Sequence, residues 1–278
     1  MSRTRLMRGV KNFLIYLAVI IAVILSIAPI FYLFVTSFKP PELTFAIPPV
    51  WQFTPTLKNY NDVFAGGKFT QYFLNSLMVA TGTTVIALVL GSFAGYGFAR
   101  YKFRGNIALR LGSLIPQMLP PITIIVPLYV LFNSMKLIDT QWALIVSYLT
   151  FAIPLSIWMS TSFFVDVPVE LEESAMIDGC TRLGAFFRIS VPIAAPGLAA
   201  TAILCFIYCW NEFLYAVILT GRDARTLPVS ITSFMTNKAI LWGRIAAAGS
   251  LVLLPVLIFA LIAQRYLVRG LSRGAVKG

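Results

Sequence analysis

The chain of 278 residues is too apolar for an ordinary soluble protein, because 59% of its residues are hydrophobic and only 12% are charged. Its formal net charge of +12 does not require a nucleic-acid partner, since anionic lipid at the inner membrane surface attracts the same charge. The chain has no histidine, the commonest proton relay and metal ligand, and it shows no paired carboxylates at the end of an apolar run and no nucleophile motif, so we expect neither a metal site nor catalytic residues.

Six apolar runs are long enough to cross a bilayer as helices, for which about 20 residues suffice. These runs must be helical, because lipid offers no partner to unpaired backbone groups. In chain order they are 13–38, 72–98, 111–135, 141–164, 198–220 and 245–263. The sequence therefore predicts an all-α polytopic membrane protein with six transmembrane helices, in which residues 1–278 form a single transmembrane domain.

The basic residues are distributed unevenly between the segments that join these runs. With the N-terminus inside, the inner segments hold 14 lysine and arginine residues and the outer loops hold 8. The positive-inside rule then places both termini, and the segment between the fourth and fifth runs, in the cytoplasm. The first run is too long for the core of a secretory signal, so we interpret it as a retained helix.

Three segments in the first half of the chain carry backbone signals. The outer loop 39–71 is rich in proline, and it either receives a partner from outside or caps the bundle. Gly91 and Gly95 have the spacing that allows helices to approach closely, which we assign to packing within the chain. Four prolines in the run 111–135 predict a broken helix, which either lines a path or reflects irregular packing.

The cytoplasmic loop 165–197 is a polar segment between apolar runs. Five of the ten acidic residues lie in its first half: Asp166, Glu170, Glu172, Glu173 and Asp178. We predict that Asp166 caps a helix whose early acids suit the positive end of the helix dipole. Gly179 should end this helix in a left-handed conformation, and Thr181 should cap a second short helix that runs toward Pro192. The loop should therefore project as a helix–turn–helix.

The spacing of Glu173-Ser-Ala175, Gly179, Ile189 and Pro192 resembles the EAA loop of ATP-binding-cassette (ABC) importer permeases of type I. Ser174 and Cys180 stand where this family usually has alanine, and both are also small. The resemblance is closest to the carbohydrate branch, the maltose-type inner-membrane subunits. Five further stretches support it: Asn75-Ser-Leu, Gly95-Tyr-Gly-Phe-Ala-Arg100, Gln117-Met118, Trp210-Asn-Glu-Phe-Leu214 and Thr226-Leu-Pro-Val229.

The resemblance implies that the cytoplasmic loop is a coupling helix seated in a cleft of a separate ATPase subunit. Its contact residues would be Glu172, Glu173, Ala175, Asp178, Gly179, Ile189 and Pro192. The cytoplasmic tail 264–278 would reach between two ATPase subunits through Gly270, Gly274, Lys277 and Gly278. The chain itself has no phosphate-binding loop, since its only Gly-Lys pair, Gly67-Lys68, lacks the rest of that pattern. ATP with its Mg²⁺ should therefore bind the partner subunits, and this chain should hold no cofactor.

The resemblance also implies the remaining partners and the function. The chain would be one permease subunit of an ATP-driven importer in the bacterial inner membrane, and would translocate a carbohydrate. It would pair with a second homologous permease, two ABC ATPase subunits and an extracytoplasmic solute-binding protein. A permease for a non-sugar solute, such as glycerol phosphate, and an ion-coupled secondary transporter are the alternatives.

Glu212 is the only formal charge well inside an apolar run, and an ionisable residue there is a functional-site hypothesis by default. Trp210 and Asn211 beside it would stack on or hydrogen-bond a sugar in a substrate path. The alternative is that Glu212 bonds a neighbouring helix in the interior of the bundle.

Overall fold

The computed structural model describes residues 3–236 and 240–274, and these ranges are dominated by helices. The α-helices are α1 (Arg3–Ser37), α2 (Lys58–Ala65), α3 (Phe69–Arg100), α4 (Asn106–Gly112), α5 (Ile115–Met118), α6 (Pro121–Ser134), α7 (Gln141–Val165), α8 (Val169–Ile177), α9 (Arg182–Ala185), α10 (Val191–Trp210), α11 (Leu214–Leu219), α12 (Leu227–Ser230) and α13 (Trp242–Gly274). Short 3₁₀ turns occur at Pro41–Leu43 and Ile231–Phe234, and a π-helical turn, Phe186–Ser190, joins α9 to α10.

Five continuous helical segments are long and apolar enough to cross a membrane: Lys11–Ser37, Phe69–Arg100, Gln141–Val165, Arg182–Trp210 and Trp242–Ile262. Two further segments, Asn106–Met118 and Pro121–Ser134, meet at an angle of 86° and are apolar enough only together, so that counting the pair as one broken span brings the number to six. The predicted all-α polytopic fold with six spans is confirmed. The predicted break in the third span lies at Leu119 and Pro120, where a proline cannot donate the helical hydrogen bond.

The predicted bounds of the fifth span were wrong at both ends. The helix α10 begins at Val191, upstream of the predicted start, and a π-helical turn, Phe186–Ser190, joins it directly to α9. The helix ends at Trp210, and residues 211–213 separate it from α11. Glu212 therefore lies at a break between two helices and not inside a continuous span.

Contacts between residues divide the chain into two compact units. The first contains Met1–Gly67 and Ile231–Val252, and the second contains Lys68–Ser230 and Leu253–Gly278. Whether these units act as the single transmembrane domain that the sequence predicts stays a prediction.

In the first unit, the proline-rich outer segment packs onto the end of α1. The ammonium group of Lys39 is surrounded by the rings of Tyr32, Trp51 and Phe53, with their centroids 5.4–5.6 Å away. Lys39 is only 1% exposed. The side chain of Asn59 donates to the carbonyl oxygen of Lys39 at 2.8 Å. This packing favours the interpretation that the first part of the outer loop caps the end of the helix.

In the second unit, α3 and α7 pack closely through two glycines. A Cβ atom on Gly95 would lie 2.8 Å from the backbone nitrogen of Thr161 and 2.9 Å from the Cβ of Ser160. A Cβ on Gly91 would overlap the side chain of Ser156. The predicted close helix approach is therefore present, and it lies within this chain.

We expect Gly95→Ala to destabilise the permease, because the new methyl group meets backbone that cannot move aside, and overpacking of this kind costs about 1–3 kcal/mol. The matched control is Gly97→Ala on the same helix, where the added Cβ meets nothing within 4 Å. Alanine there should be neutral or stabilise by up to about 1 kcal/mol. Thermal unfolding of both purified variants checks this, and equal melting temperatures would contradict the close contact.

Candidate coupling loop and translocation cavity

The cytoplasmic loop begins with α8, but its N-terminus is built differently from the prediction. The N-cap residue is Pro168, which offers no side-chain cap, whereas Asp166 is the C-cap residue of α7. The predicted capping role of Asp166 was therefore wrong. A proline fixes its own φ near −65° and restricts the residue before it, so the change of direction after α7 is set by backbone geometry.

The C-terminus of α8 is the glycine turn that the sequence predicts. Gly179 has a φ of +90°, a conformation that side chains with a Cβ rarely adopt. The N–H of Gly179 donates to Met176 and that of Cys180 donates to Ala175, at 3.1 and 2.9 Å. These two bonds together form a Schellman motif. The turn is therefore fixed by the backbone and needs no partner to shape it.

The second half of the predicted helix–turn–helix is continuous with a span. The hydroxyl oxygen of Thr181 accepts a hydrogen bond from the N–H of Gly184 at 3.1 Å, so its predicted role as a cap is confirmed. The helix α9 then continues through the π-helical turn into α10 without a break. The Gly179 turn is therefore connected to the helix α10 through Cys180, Thr181, α9 and the π-helical turn.

Glu172 differs from the other predicted coupling residues, because its carboxylate is buried inside the chain and is only 4% exposed. Its Oε1 accepts hydrogen bonds from Nε and Nη2 of Arg100, at 2.9 and 2.7 Å, and from the hydroxyl of Ser190 at 2.6 Å. Its Oε2 accepts from the hydroxyl of Tyr96 at 2.8 Å. Nη2 of Arg100 also donates to the carbonyl oxygen of Val167 at 2.8 Å.

This Glu172 network joins α8 to the inner end of α3 and to the turn before α10. Burial alone would raise the pKa of Glu172, but the hydrogen bonds from Arg100, Ser190 and Tyr96 outweigh it and lower that pKa below its ordinary value of 4.5. The carboxylate is therefore ionised and already paired within this chain. Within the described chain Glu172 holds the loop, and its contact with an ATPase subunit stays a prediction.

The other predicted coupling residues lie on or near the surface of the loop. Glu173, Asp178, Gly179 and Pro192 are exposed, while Ala175 and Ile189 are half-buried. Two further apolar side chains beside the turn, which were not among the predicted residues, are the most exposed there: Ile177 at 86% and Leu183 at 65%. Ile177 lies two residues before Gly179 and Leu183 four residues after it. Apolar residues this close to a predicted exposed turn are the sequence signal that would have identified them.

The predicted tail residues fall in two groups. Gly270 and Gly274 belong to the last turns of α13. Lys277 and Gly278 lie outside the described residues. The proposed contact of this tail with ATPase subunits stays a prediction.

A cavity of about 750 Å³ lies where the broken third span faces α7, the end of α10 and α11. Its lining is mostly apolar and aromatic, with amide, hydroxyl and carboxylate groups: Pro116, Gln117, Leu119, Pro121, Thr150, Phe151, Leu155, Ile207, Tyr208, Asn211, Glu212, Phe213, Leu214 and Tyr215. Such a composition is typical of small-molecule sites. The break in the third span therefore lines a cavity, which favours the interpretation that the broken helix lines a path over that of irregular packing.

The three residues predicted for a substrate path have different environments. Asn211 and Glu212 line the cavity. The Glu212 carboxylate accepts the backbone N–H groups of Tyr215 and Ala216, at 2.9 and 3.1 Å, and so caps α11. These two bonds lie within one helix–break–helix segment, and the alternative of a bond from Glu212 to a neighbouring helix stays a prediction.

Trp210 does not line the cavity and is 1% exposed. Its ring stacks on Phe206 and meets Phe73 edge to face, with centroids 5.7 and 5.6 Å away. In the described chain Trp210 therefore packs against other rings, and its contact with a sugar stays a prediction. The neighbouring Tyr208, which the sequence analysis did not single out, is 64% exposed and lines the cavity.

On the predicted outer side, the Asp139 carboxylate holds the loop that follows α11. It accepts hydrogen bonds from four consecutive backbone N–H groups, those of residues 221–224, at 2.9–3.2 Å. Burial would raise the pKa of Asp139, but these bonds outweigh it and lower that pKa. Positive-inside counting places Asp139 and this loop on the same side of the membrane, so their contact agrees with the predicted topology.

The comparisons with known proteins agree with this architecture. Residues 87–273 match the family model described as "Binding-protein-dependent transport system inner membrane component". The chain is 40% identical, over 256 residues, to the trehalose transport system permease protein SugB of Mycobacterium tuberculosis, covering 91% of this chain and 93% of that protein. It is 34% identical, over 272 residues, to the trehalose/maltose transport system permease protein MalG of Thermococcus litoralis, covering 96% and 98%.

A solved structure of a bacterial ABC transporter involved in the import of the acidic polysaccharide alginate superposes with a TM-score of 0.72 at 20% identity, over 96% of this chain and 98% of that one. At this identity the likeness concerns the fold alone. The matched family is one of transporter permeases and not a catalytic family. The chain is thus a multi-pass inner-membrane protein and belongs to the family of inner-membrane components of binding-protein-dependent transport systems.

Proposed function

We propose that this chain is the permease subunit of an ATP-driven importer that moves a carbohydrate across the inner membrane. The observation that carries the substrate class is the match, along 91% of the chain, to a permease of a trehalose transport system. A second relative, of a trehalose/maltose system, matches 96% of the chain.

The chemistry of the cavity fits a carbohydrate. Phe151, Tyr208 and Tyr215 contribute aromatic rings to its lining, and aromatic faces suit the apolar C–H faces of a sugar ring. Gln117 and Asn211 add amide groups, which match hydroxyl groups as donors and acceptors. Glu212 supplies the one carboxylate of this lining, and its oxygens already accept two backbone N–H groups, so an uncharged ligand suits the cavity best.

The partners follow from the surfaces that the chain exposes. The apolar window of α1 has no residue buried within the described chain, and this supports pairing with lipid and with a second, homologous permease. The exposed turn around Gly179, with Ile177, Leu183 and Glu173, supports docking to an ATPase subunit. Two such subunits would bind ATP with its Mg²⁺, and an extracytoplasmic solute-binding protein would deliver the carbohydrate.

The double variant Gly179→Asp with Glu173→Lys tests this proposal. We expect substrate-stimulated ATP hydrolysis by the complete transporter to fall by roughly tenfold or more, because the turn must leave its +90° φ and an exposed acid changes sign. Gly105→Asp with Glu42→Lys is the matched control, since Gly105 has a φ of +93° in open space and Glu42 is exposed. The control should retain assembly and stimulation, and unchanged coupling in the first variant would overturn the assignment.

A further inference from the structure

The Glu172 network bonds the coupling helix α8 to a span to which it is not adjacent in the chain. The helix α7 precedes α8 in the chain, and α9, which continues into α10, follows it, so these spans are connected to α8 through the backbone. Arg100, at the inner end of α3, is 72 residues away from Glu172 and is connected to it through side chains. Both are almost fully buried, with side-chain exposures of 8% and 5%.

The outer end of α3 carries a second set of hydrogen bonds to a distant loop. The side-chain nitrogen of Asn75 donates to the carbonyl oxygens of Asp223 and Arg225, at 2.7 and 3.0 Å. Its oxygen accepts from the amide of Gln141 at 2.8 Å. Asn75 is only 4% exposed. This is the same outer loop that the Asp139 carboxylate holds.

The body of α3 between these two ends is a continuous α-helix of 32 residues, Phe69–Arg100. Arg100 and Asn75 lie about 38 Å apart along its axis. The Gly91 and Gly95 contacts with α7 leave no space for α3 to bend locally toward its neighbour. A displacement imposed at the inner end therefore arrives at the outer end as a movement of the whole helix.

We propose that Arg100 is a positioning residue that makes α3 follow the coupling helix, and that α3 carries this displacement to the outer loop held by Asn75. The inference rests on the proposed function as an ATP-driven importer. If α8 moved without α3, the Glu172 carboxylate would lose the hydrogen bonds of Arg100 and Tyr96 while it stayed buried. The two helices are therefore held together through the transport cycle, and the cytoplasmic and outer loops change position together.

The test uses the complete transporter, reconstituted into lipid vesicles with its ATPase subunits, its binding protein and a disaccharide. The measured quantity is the number of sugar molecules imported for each ATP hydrolysed. We expect this ratio to fall about tenfold in Arg100→Met and in Asn75→Ala, within the usual range of coupling between distant sites. Arg100→Lys keeps the charge but lacks the planar guanidinium that reaches both Glu172 and Val167. The ratio should therefore fall in this variant, but by less than in Arg100→Met. Arg104→Met, an exposed basic residue of the same inner segment, is the control.

The double variant Arg100→Met with Asn75→Ala distinguishes transmission from local support. If both residues act on one transmitted movement, the double variant should lower the ratio no further than either single variant. Multiplicative losses, or hydrolysis and import that fall in proportion in every variant, would overturn the proposal. Should Arg100→Met fail to assemble, Arg100→Lys keeps the buried charge, and an unchanged ratio in that variant would overturn the proposal equally. A wild-type transporter that hydrolyses ATP but imports no sugar would contradict the proposed function instead.

Discussion

Replacing Glu172 by alanine is expected to destabilise the folded permease by about 3–5 kcal/mol, because the change leaves the Arg100 guanidinium buried without its counter-charge. The hydroxyls of Tyr96 and Ser190 lose the same acceptor. The measurement is the thermal or denaturant unfolding of the purified permease in detergent. Glu170→Ala is the matched control, since this acid lies two residues earlier on α8 and is exposed. It should change stability by about 1 kcal/mol at most.

The Glu172 carboxylate should also make stability depend on pH in a defined direction. Its pKa in the folded protein is below the ordinary value of 4.5, so the unfolded chain binds a proton more readily than the folded one. Its contribution is fully present above pH 4.5 and is lost as the pH falls through the lower folded pKa. In Glu172→Ala this acid-dependent loss should be smaller, and an unchanged acid profile would contradict the pairing with Arg100.

Replacing Trp210 by alanine is expected to cost about 3–5 kcal/mol of stability, because it removes the ring buried between Phe73 and Phe206. The substitution Tyr208→Ala, two residues earlier on α10, should leave the melting temperature within a few degrees of the wild-type value, since that ring is 64% exposed. In a transport assay on folded protein the ranking should be reversed, with Tyr208→Ala the more impaired of the two variants. Tyr208→Ala removes a ring from the cavity lining and should slow sugar import in a protein that remains folded.

Unfolding and import must therefore be measured on the same preparations. A Trp210→Ala protein that unfolds at the wild-type temperature and fails only in import would support the prediction that this ring contacts the sugar. A Tyr208→Ala protein with full import would remove Tyr208 from the translocation path.

Local signals were enough to predict most of the coupling loop. The Asp178-Gly179 pair predicts a left-handed helix end, and the structure has a φ of +90° with both Schellman bonds at that position. Thr181 predicts an N-terminal cap, and its hydroxyl oxygen accepts a hydrogen bond from the N–H of Gly184, three residues later. These signals act within a few residues along the chain, so a single sequence contains them.

The partners of Glu172 could not be predicted from the sequence in the same way. The acid lies on a helix with neighbouring acids, which is also the pattern of a solvated surface, and its counter-charge is 72 residues away. Trp210 and Tyr208 illustrate a second limit. The helix α10 is apolar on every side, so periodicity gives no indication of which aromatic ring faces the cavity.

The hydrogen bonds to the Asp139 carboxylate should make the outer loop less susceptible to proteolysis. Arg222 is exposed and Arg225 half-buried on this loop, and a trypsin-like protease cleaves after arginine. Cleavage requires the backbone to extend into the active site of the protease, whereas four successive N–H groups at 221–224 are bound to one carboxylate. The loop therefore displays basic side chains on a backbone whose hydrogen bonds oppose its extension into a protease active site.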